Sequence, residues 1–468
     1  MTFSSVVFLF MFLPVTFLLY ALIRQKTIRN IILVIASLFF YAFGEPVAVI
    51  IMIISIIFNY IFGLIASGKK HDKLAVFWGV IVNIGLLIAY KYTGFFATII
   101  NDVTGLSIPV PHIRLPIGIS FFTFQGLSYV IDVYRNKNLV QKNFFYVLLY
   151  ISFFPQLIAG PIVRYEDIAK QIEEREFNID RVSRGICRFI FGLGKKVLIA
   201  NQMGFVADTV FGFAPSSLSV GSAWLGAVCY TFQIFFDFSG YSDMAIGLGC
   251  MFGFDFRENF NYPFIAPNIQ NFWGRWHISL SSWFKEYVYI PMGGSEGSRA
   301  KTTFNKFFIF FLSGFWHGAN FTFIVWGLIH GFCQMLETYQ IIPTKKKWFK
   351  PFGHIYTMLV VILAFVIFRS DTLTQGFGMI KAMFTATSTD AAVNAKIMSC
   401  VSLLFVISLI FAIILSTPVF KVIKEKVSKT RYAVPGSYIA YIGSILIFVL
   451  AVLSLVTSGY NPFIYFRF

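Results

Sequence analysis

Stretches of about twenty residues without one Asp, Glu, Lys or Arg recur in this chain. Residues 46–66 and 436–458 are the plainest. About 20 residues of α-helix cross the hydrocarbon core of a bilayer, where no water satisfies an open backbone. A transmembrane barrel would show alternating segments of roughly ten residues instead. Further candidate spans fall at 3–23, 30–43, 74–92, 115–133, 184–206, 219–236, 354–369 and 396–416. The predicted fold is an all-α polytopic membrane protein with about 11 transmembrane helices, plus re-entrant and interfacial ones. We read residues 1–468 as one integral-membrane domain, in contact with the lipid bilayer along most of its surface. Charged residues make up only 13% of the chain, about half the share of a soluble domain. The run from Phe3 to Ile23 lacks a basic leader and a small-residue cleavage site, so it reads as a retained helix rather than a signal peptide.

A net charge of +17 would raise nucleic acid as a partner for a soluble protein. Here the basic residues cluster between apolar runs: Arg24/Lys26/Arg29, Lys69/Lys70/Lys73, Arg175 to Lys196, Lys345 to Lys347, and Lys421 to Arg431. That is the positive-inside pattern, and it argues against nucleic acid. It places both termini outside the cytoplasm, with the connections 44–46, 207–220 and 385–394. Five scattered cysteines form no CxxC and no metal spacing, so they read as apolar fillers.

Two regions resist a single crossing. Residues 144–162 contain Pro155, Gly160 and Pro161 and have both ends assigned to the cytoplasm, which predicts a re-entrant hairpin. Residues 304–338 predict two short helices broken at His317-Gly318-Ala319-Asn320, placing the histidine at membrane depth. Irregular backbone at that depth is tolerated only inside protein or along a cavity. Residues 164–182 read either as an amphipathic helix on the inner surface or as a solvated loop.

An ionisable residue within the bilayer is costly and marks a functional site by default. His317 is such a residue, with an imidazole suited to general-base work near neutral pH. Its bland alternative is a hydrogen bond linking helices. His330, on an apolar helix, reads as a satisfied core histidine. His277 lies in a run where Trp273, Trp276 and Leu280 share one helical face, while Arg275, Ser279 and Ser282 share another. Tryptophans on a polar-studded helix fit an interfacial anchor. Asp237 and Asp243 either orient or stabilise a histidine, or satisfy helix ends. No GxSxG, HExxH or P-loop occurs, and the spacings offer no metal site.

The string Phe272-Trp273-Gly274-Arg275-Trp276-His277, with Trp283-Phe284, Tyr289-Ile290-Pro291-Met292-Gly293-Gly294 and Phe315-Trp316-His317-Gly318, resembles the membrane-bound O-acyltransferase family. The similarity is greatest to its bacterial alginate O-acetylation branch. Leu115 to Phe121, Phe154 to Pro161 and Phe236 to Asp243 also resemble that branch, so the likeness covers nearly the whole chain, with a motif core at 115–338.

The resemblance implies a fold of two funnels meeting at a thin central layer. It maps the family's signature histidine onto His317 as the catalytic residue and the second motif position onto His277. Trp316, Asn320, Trp273, Arg275, Trp276, Asp237 and Gln156 would then shape the substrate tunnel. It also implies acetyl-CoA as the acyl donor with no tightly bound cofactor, and location in a bacterial cytoplasmic (inner) membrane. An extracytoplasmic SGNH-type acetyltransferase partner would pass the acetyl group to a polysaccharide acceptor. The aromatic C-terminus resembles that of a small peptide of the teichoic-acid D-alanylation machinery. By that likeness Tyr465 is a possible acyl relay, against the plainer reading of an interfacial aromatic belt. The competing readings are D-alanyl or other acyl transfer to teichoic acid or peptidoglycan, a polysaccharide or lipid transporter, and a non-catalytic scaffold. The string Pro291 to Gly294 favours acetylation, and no inverted repeat supports a transporter.

Overall fold

The computed structural model describes residues 1–111, 113–385, 390–430 and 432–464, and every regular element among them is a helix. The chain divides into two compact units, residues 1–189 with 242–257, and residues 190–241 with 258–468.

In the first unit, helices Ala48–Ser67 (α1) and Asp72–Lys91 (α2) are long and apolar enough to span a bilayer. Their apolar side chains stay largely exposed, Ile50 and Phe77 among them, as a lipid-facing surface requires. Between them the buried amides of Asn59 and Asn83 exchange hydrogen bonds of 3.2 and 2.8 Å. Such polar clasps join helices where burial of apolar surface supplies no drive. Helix Ile119–Arg135 (α3) is buried on nearly every side. It lies close against α1, since a Cβ on Gly63 would meet the Tyr129 ring at 2.3 Å.

The predicted interruption at 144–162 consists of helices Phe144–Ser152 and Phe154–Leu157, separated at Phe153 ahead of Pro155. Residues Tyr165–Glu173 form a helix whose apolar stripe, Tyr165, Ile168 and Ile172, is buried in protein. The helix is thus amphipathic, with Glu166, Lys170 and Glu173 exposed, rather than the solvated loop of the other alternative.

The second unit takes the first part of Val220–Met251 (α4), as far as Tyr241. It adds Arg299–His317 (α5), Phe321–Thr338 (α6), Lys350–Arg369 (α7) and Ala433–Thr457 (α8). Among the described residues, α1, α2, Lys347–Arg369 and Val434–Thr457 pass as straight spans. A fifth would be the pair Ala391–Ser399 and Leu403–Leu415, bent by 73°. Most other predicted spans are helical but shorter, more polar or broken. The stretch predicted at 184–206 contains a π-helical turn, Lys195–Ala200, and that predicted at 219–236 runs on to Met251. Within this unit Ser222 Oγ donates to Asn394 Oδ1 at 2.8 Å, and Arg369 pairs with Asp208 at 2.6 Å.

Helices α5 and α6 form an antiparallel hairpin. A Cβ on Gly314 would lie 2.4 Å from the Phe323 carbonyl oxygen, and one on Gly327 would lie 2.3 Å from that of Phe310. Only glycine permits this crossing. Gly327→Val is expected to destabilise the detergent-solubilised protein by about 1–3 kcal/mol, read as a lower thermal midpoint. Gly443→Val, where a Cβ meets nothing within 4 Å, is expected to leave the midpoint unchanged.

Candidate active site

Helix α5 ends at His317, the backbone opens at Gly318, and Asn320 restarts the chain as α6 by accepting a hydrogen bond from Thr322 N at 3.0 Å. His317 thus stands at the tip of the hairpin. Its ring meets those of Trp316, Trp326 and Phe368 edge-on, at centroid separations of 5.0, 5.0 and 5.1 Å. His317 and His277 line one cavity with Ile234, Phe238, Trp276, Trp326, Phe365, Phe368 and Ile464. The walls are thus mostly aromatic, with two imidazoles as the titratable groups.

His277 is held differently from the sequence expectation. The supposed continuous helix is two pieces, Ile269–Trp273 and Ile278–Phe284, and His277 sits between them with φ 44° and ψ 54°. A non-glycine residue in that region is strained and persists only when its surroundings over-determine it. Asn259 does so. Its carbonyl oxygen accepts from Ile278 N at 2.9 Å and its Oδ1 from Ser279 Oγ at 2.9 Å. Oδ1 also lies 3.2 Å from His277 Nδ1. With Oδ1 the acceptor, the ring carries its proton on Nδ1 and keeps Nε2 as its basic nitrogen. Glu337, buried on α6, fixes the start of the same segment: its carboxylate accepts from Ile269 N at 2.7 Å and Gln270 N at 3.1 Å. A carboxylate at a helix N-terminus satisfies donors that the helix itself cannot.

The other predicted residues divide. Trp276 lines the cavity, and Trp316 lies against both histidines, its ring 6.3 Å from that of His277. Trp273 instead packs with Phe310, Trp326 and His330. Trp273, Trp276 and Trp283 are all buried, which rules out the interfacial-anchor reading. Arg275 ties its own loop, donating to Asn271 Oδ1 at 2.7 Å and to the Asn261 carbonyl at 3.0 Å. Asn320 serves as a helix cap and donates to the Asp371 carbonyl. Gln156 belongs to the first unit, where its amide donates to the Tyr150 carbonyl. Tyr465 lies outside the described residues.

His330 is a core residue but not a satisfied one, since neither ring nitrogen has a hydrogen-bond partner among the described residues. Among the described residues Asp237 has no histidine partner; it pairs with Lys196 at 2.8 Å, both side chains 2% exposed. Lys196 therefore leaves the cytoplasmic basic cluster to which its position assigned it. Sequence reasoning missed Lys196, Asn259, Glu337 and the aromatic walls Phe238, Phe365 and Phe368. For Lys196 a signal did exist: it enters the apolar run 197–200, where a lysine demands a partner.

Residues 120–374 match the membrane-bound O-acyltransferase family. The chain is 42% identical to the probable alginate O-acetylase AlgI of Pseudomonas aeruginosa, over 82% of this chain and 75% of that protein. It is 38% identical to the protein of the same name from Azotobacter vinelandii over the full length of both. It is 37% identical to the peptidoglycan O-acetyltransferase of Helicobacter pylori, over 81% of this chain and 79% of that one. By the extent of these likenesses, the chain belongs to the membrane-bound O-acyltransferase family.

Proposed function

We propose that this enzyme carries an acetyl group from acetyl-CoA, bound from the cytoplasmic side of a bacterial inner membrane, to an extracytoplasmic acceptor that serves O-acetylation of a polysaccharide. The observation that most supports this is the position of His317, a titratable ring at the tip of a helical hairpin, sharing an aromatic cavity with His277. Relatives named for alginate and for peptidoglycan support acetyl as the cargo and a carbohydrate polymer as its destination. That two different polymers are named fits a partner of SGNH type as the selector.

In the proposed step, His317 takes the proton of an acceptor hydroxyl as its oxygen attacks the thioester carbonyl carbon. The C–S bond then breaks, and the departing coenzyme A thiolate recovers the proton from the imidazolium. The aromatic walls keep water from competing for the thioester. His277, its ring fixed by Asn259, positions the reacting groups. His317→Ala is expected to lower acetyl-ester content of the polymer by roughly 10²-fold or more at equal membrane levels; unchanged ester would remove His317 from the transfer step. Asn259→Ala, which keeps both imidazoles but releases the His277 turn, is expected to give an intermediate loss in the same assay.

Tyr465 is the second hydroxyl of interest, because the residue before it, Ile464, lines the cavity. As a relay, its phenol oxygen would take the acetyl group as an aryl ester and yield it to the next acceptor. Tyr465→Phe is then expected to abolish polymer acetylation while His317-dependent chemistry on small hydroxyl acceptors persists. Normal acetylation in that variant would return Tyr465 to the aromatic belt.

A further inference from the structure

The chain does not stay at the rim of the second unit after α8. Residues 458–463 leave helical geometry, and Phe463 and Ile464 are buried at 7% and 3% exposure. At the rim, Tyr460 Oη donates to Asp208 Oδ2 at 2.6 Å, and Asp208 also holds Arg369. Further in, Asn201 Nδ2 donates to Asn461 Oδ1 at 3.2 Å, and the Pro462 carbonyl accepts from Lys196 Nζ. Ile464 N then donates to Asp237 Oδ2 at 2.8 Å.

An ammonium has three donors. Those of Lys196 go to Asn201 Oδ1 at 2.8 Å, to the Pro462 carbonyl and to Asp237 Oδ1. Asp237 gives one oxygen to Lys196 and the other to the Ile464 amide. A buried ion pair is weak as a source of stability, because desolvation offsets the attraction. What this pair does supply is partners for backbone groups of a segment outside the regular helices, which are costly to bury without them. Phe463 completes the seat by packing its ring, tilted by 32°, against that of Tyr241, centroids 4.6 Å apart.

We propose that Lys196 and Asp237 are positioning residues that seat the C-terminal segment Tyr460–Ile464 as one wall of the His317 cavity, so that the site is complete only when that segment is docked. This rests on the reading of that cavity as the acyl-transfer site. Purified full-length Asp237→Asn, Lys196→Met and Phe463→Ala would be compared with wild type by acetyl transfer from acetyl-CoA and by hydrogen exchange of the C-terminal peptide. Phe463→Ala loosens the seat without touching the ion pair, so it answers for either charge variant that fails to fold. Seating predicts exchange in that peptide about 10-fold faster and kcat lower by roughly 10²-fold, with KM for acetyl-CoA held within about twofold. Slow transfer with an unchanged exchange rate would overturn the proposal, as would a loosened segment with wild-type transfer. His317→Ala separates the two readings: transfer surviving in it sinks the acyl-transfer site, while exchange in the Asp237→Asn protein still reports whether the pair holds the segment.

Discussion

At Gly314 and Gly327 the two arms of the hairpin touch through backbone atoms, and a carbonyl oxygen fills the space a side chain would take. Contact this close leaves little freedom in how the arms cross, and the tip of the hairpin is where His317 stands. The α6 arm then carries three further determinants outward from that tip. Trp326 walls the ring of His317, His330 lies one turn farther along, and Glu337 reaches the start of the segment that bears His277. The two imidazoles, far apart in sequence, are therefore referred to a single helix, one by direct packing and the other through a carboxylate clamp on backbone amides.

The parts of this arrangement that follow from periodicity and depth were legible in the sequence. Apolar runs located most helices within a few residues, and the break at Gly318 was marked by glycine and by a histidine where none belongs without a purpose. The local geometry at His277 was not. A left-handed residue between two short helices is imposed by Asn259, eighteen positions away, and helical spacing arithmetic has no access to such a constraint. The tryptophans misled for a related reason. Their amphipathic rings suit a headgroup layer and a protein core alike, and only tertiary contact decides between them.

Charge counting failed in one instructive place. Lys196 follows Lys195 at the edge of a basic cluster, and the sequence treats the pair as equivalent. The π-helical turn Lys195–Ala200 separates their fates, with Lys196 buried against Asp237. The positive-inside rule sums over loops, so it cannot see a single lysine withdrawn into the protein. The carboxylate that receives it was visible, but its partner was sought among histidines.

That same π turn bears on how chains of this kind vary in length. A turn closed by i→i+5 bonds holds one residue more than an α-helical turn, and one residue corresponds to about 100° of rotation around the helix axis. Lys196 faces Asp237 because the surplus residue is absorbed within 195–200. A one-residue deletion there would restore regular α geometry with the two flanks of the helix in nearly the same rotational relation, and only side chains within the turn would be re-aimed. Lys196 is one of them, so it would turn away from its carboxylate unless the opposing surface changed in step. Insertions and deletions in this stretch should therefore travel with compensating changes at the Asp237 position, a coupling written in chain length rather than in residue type.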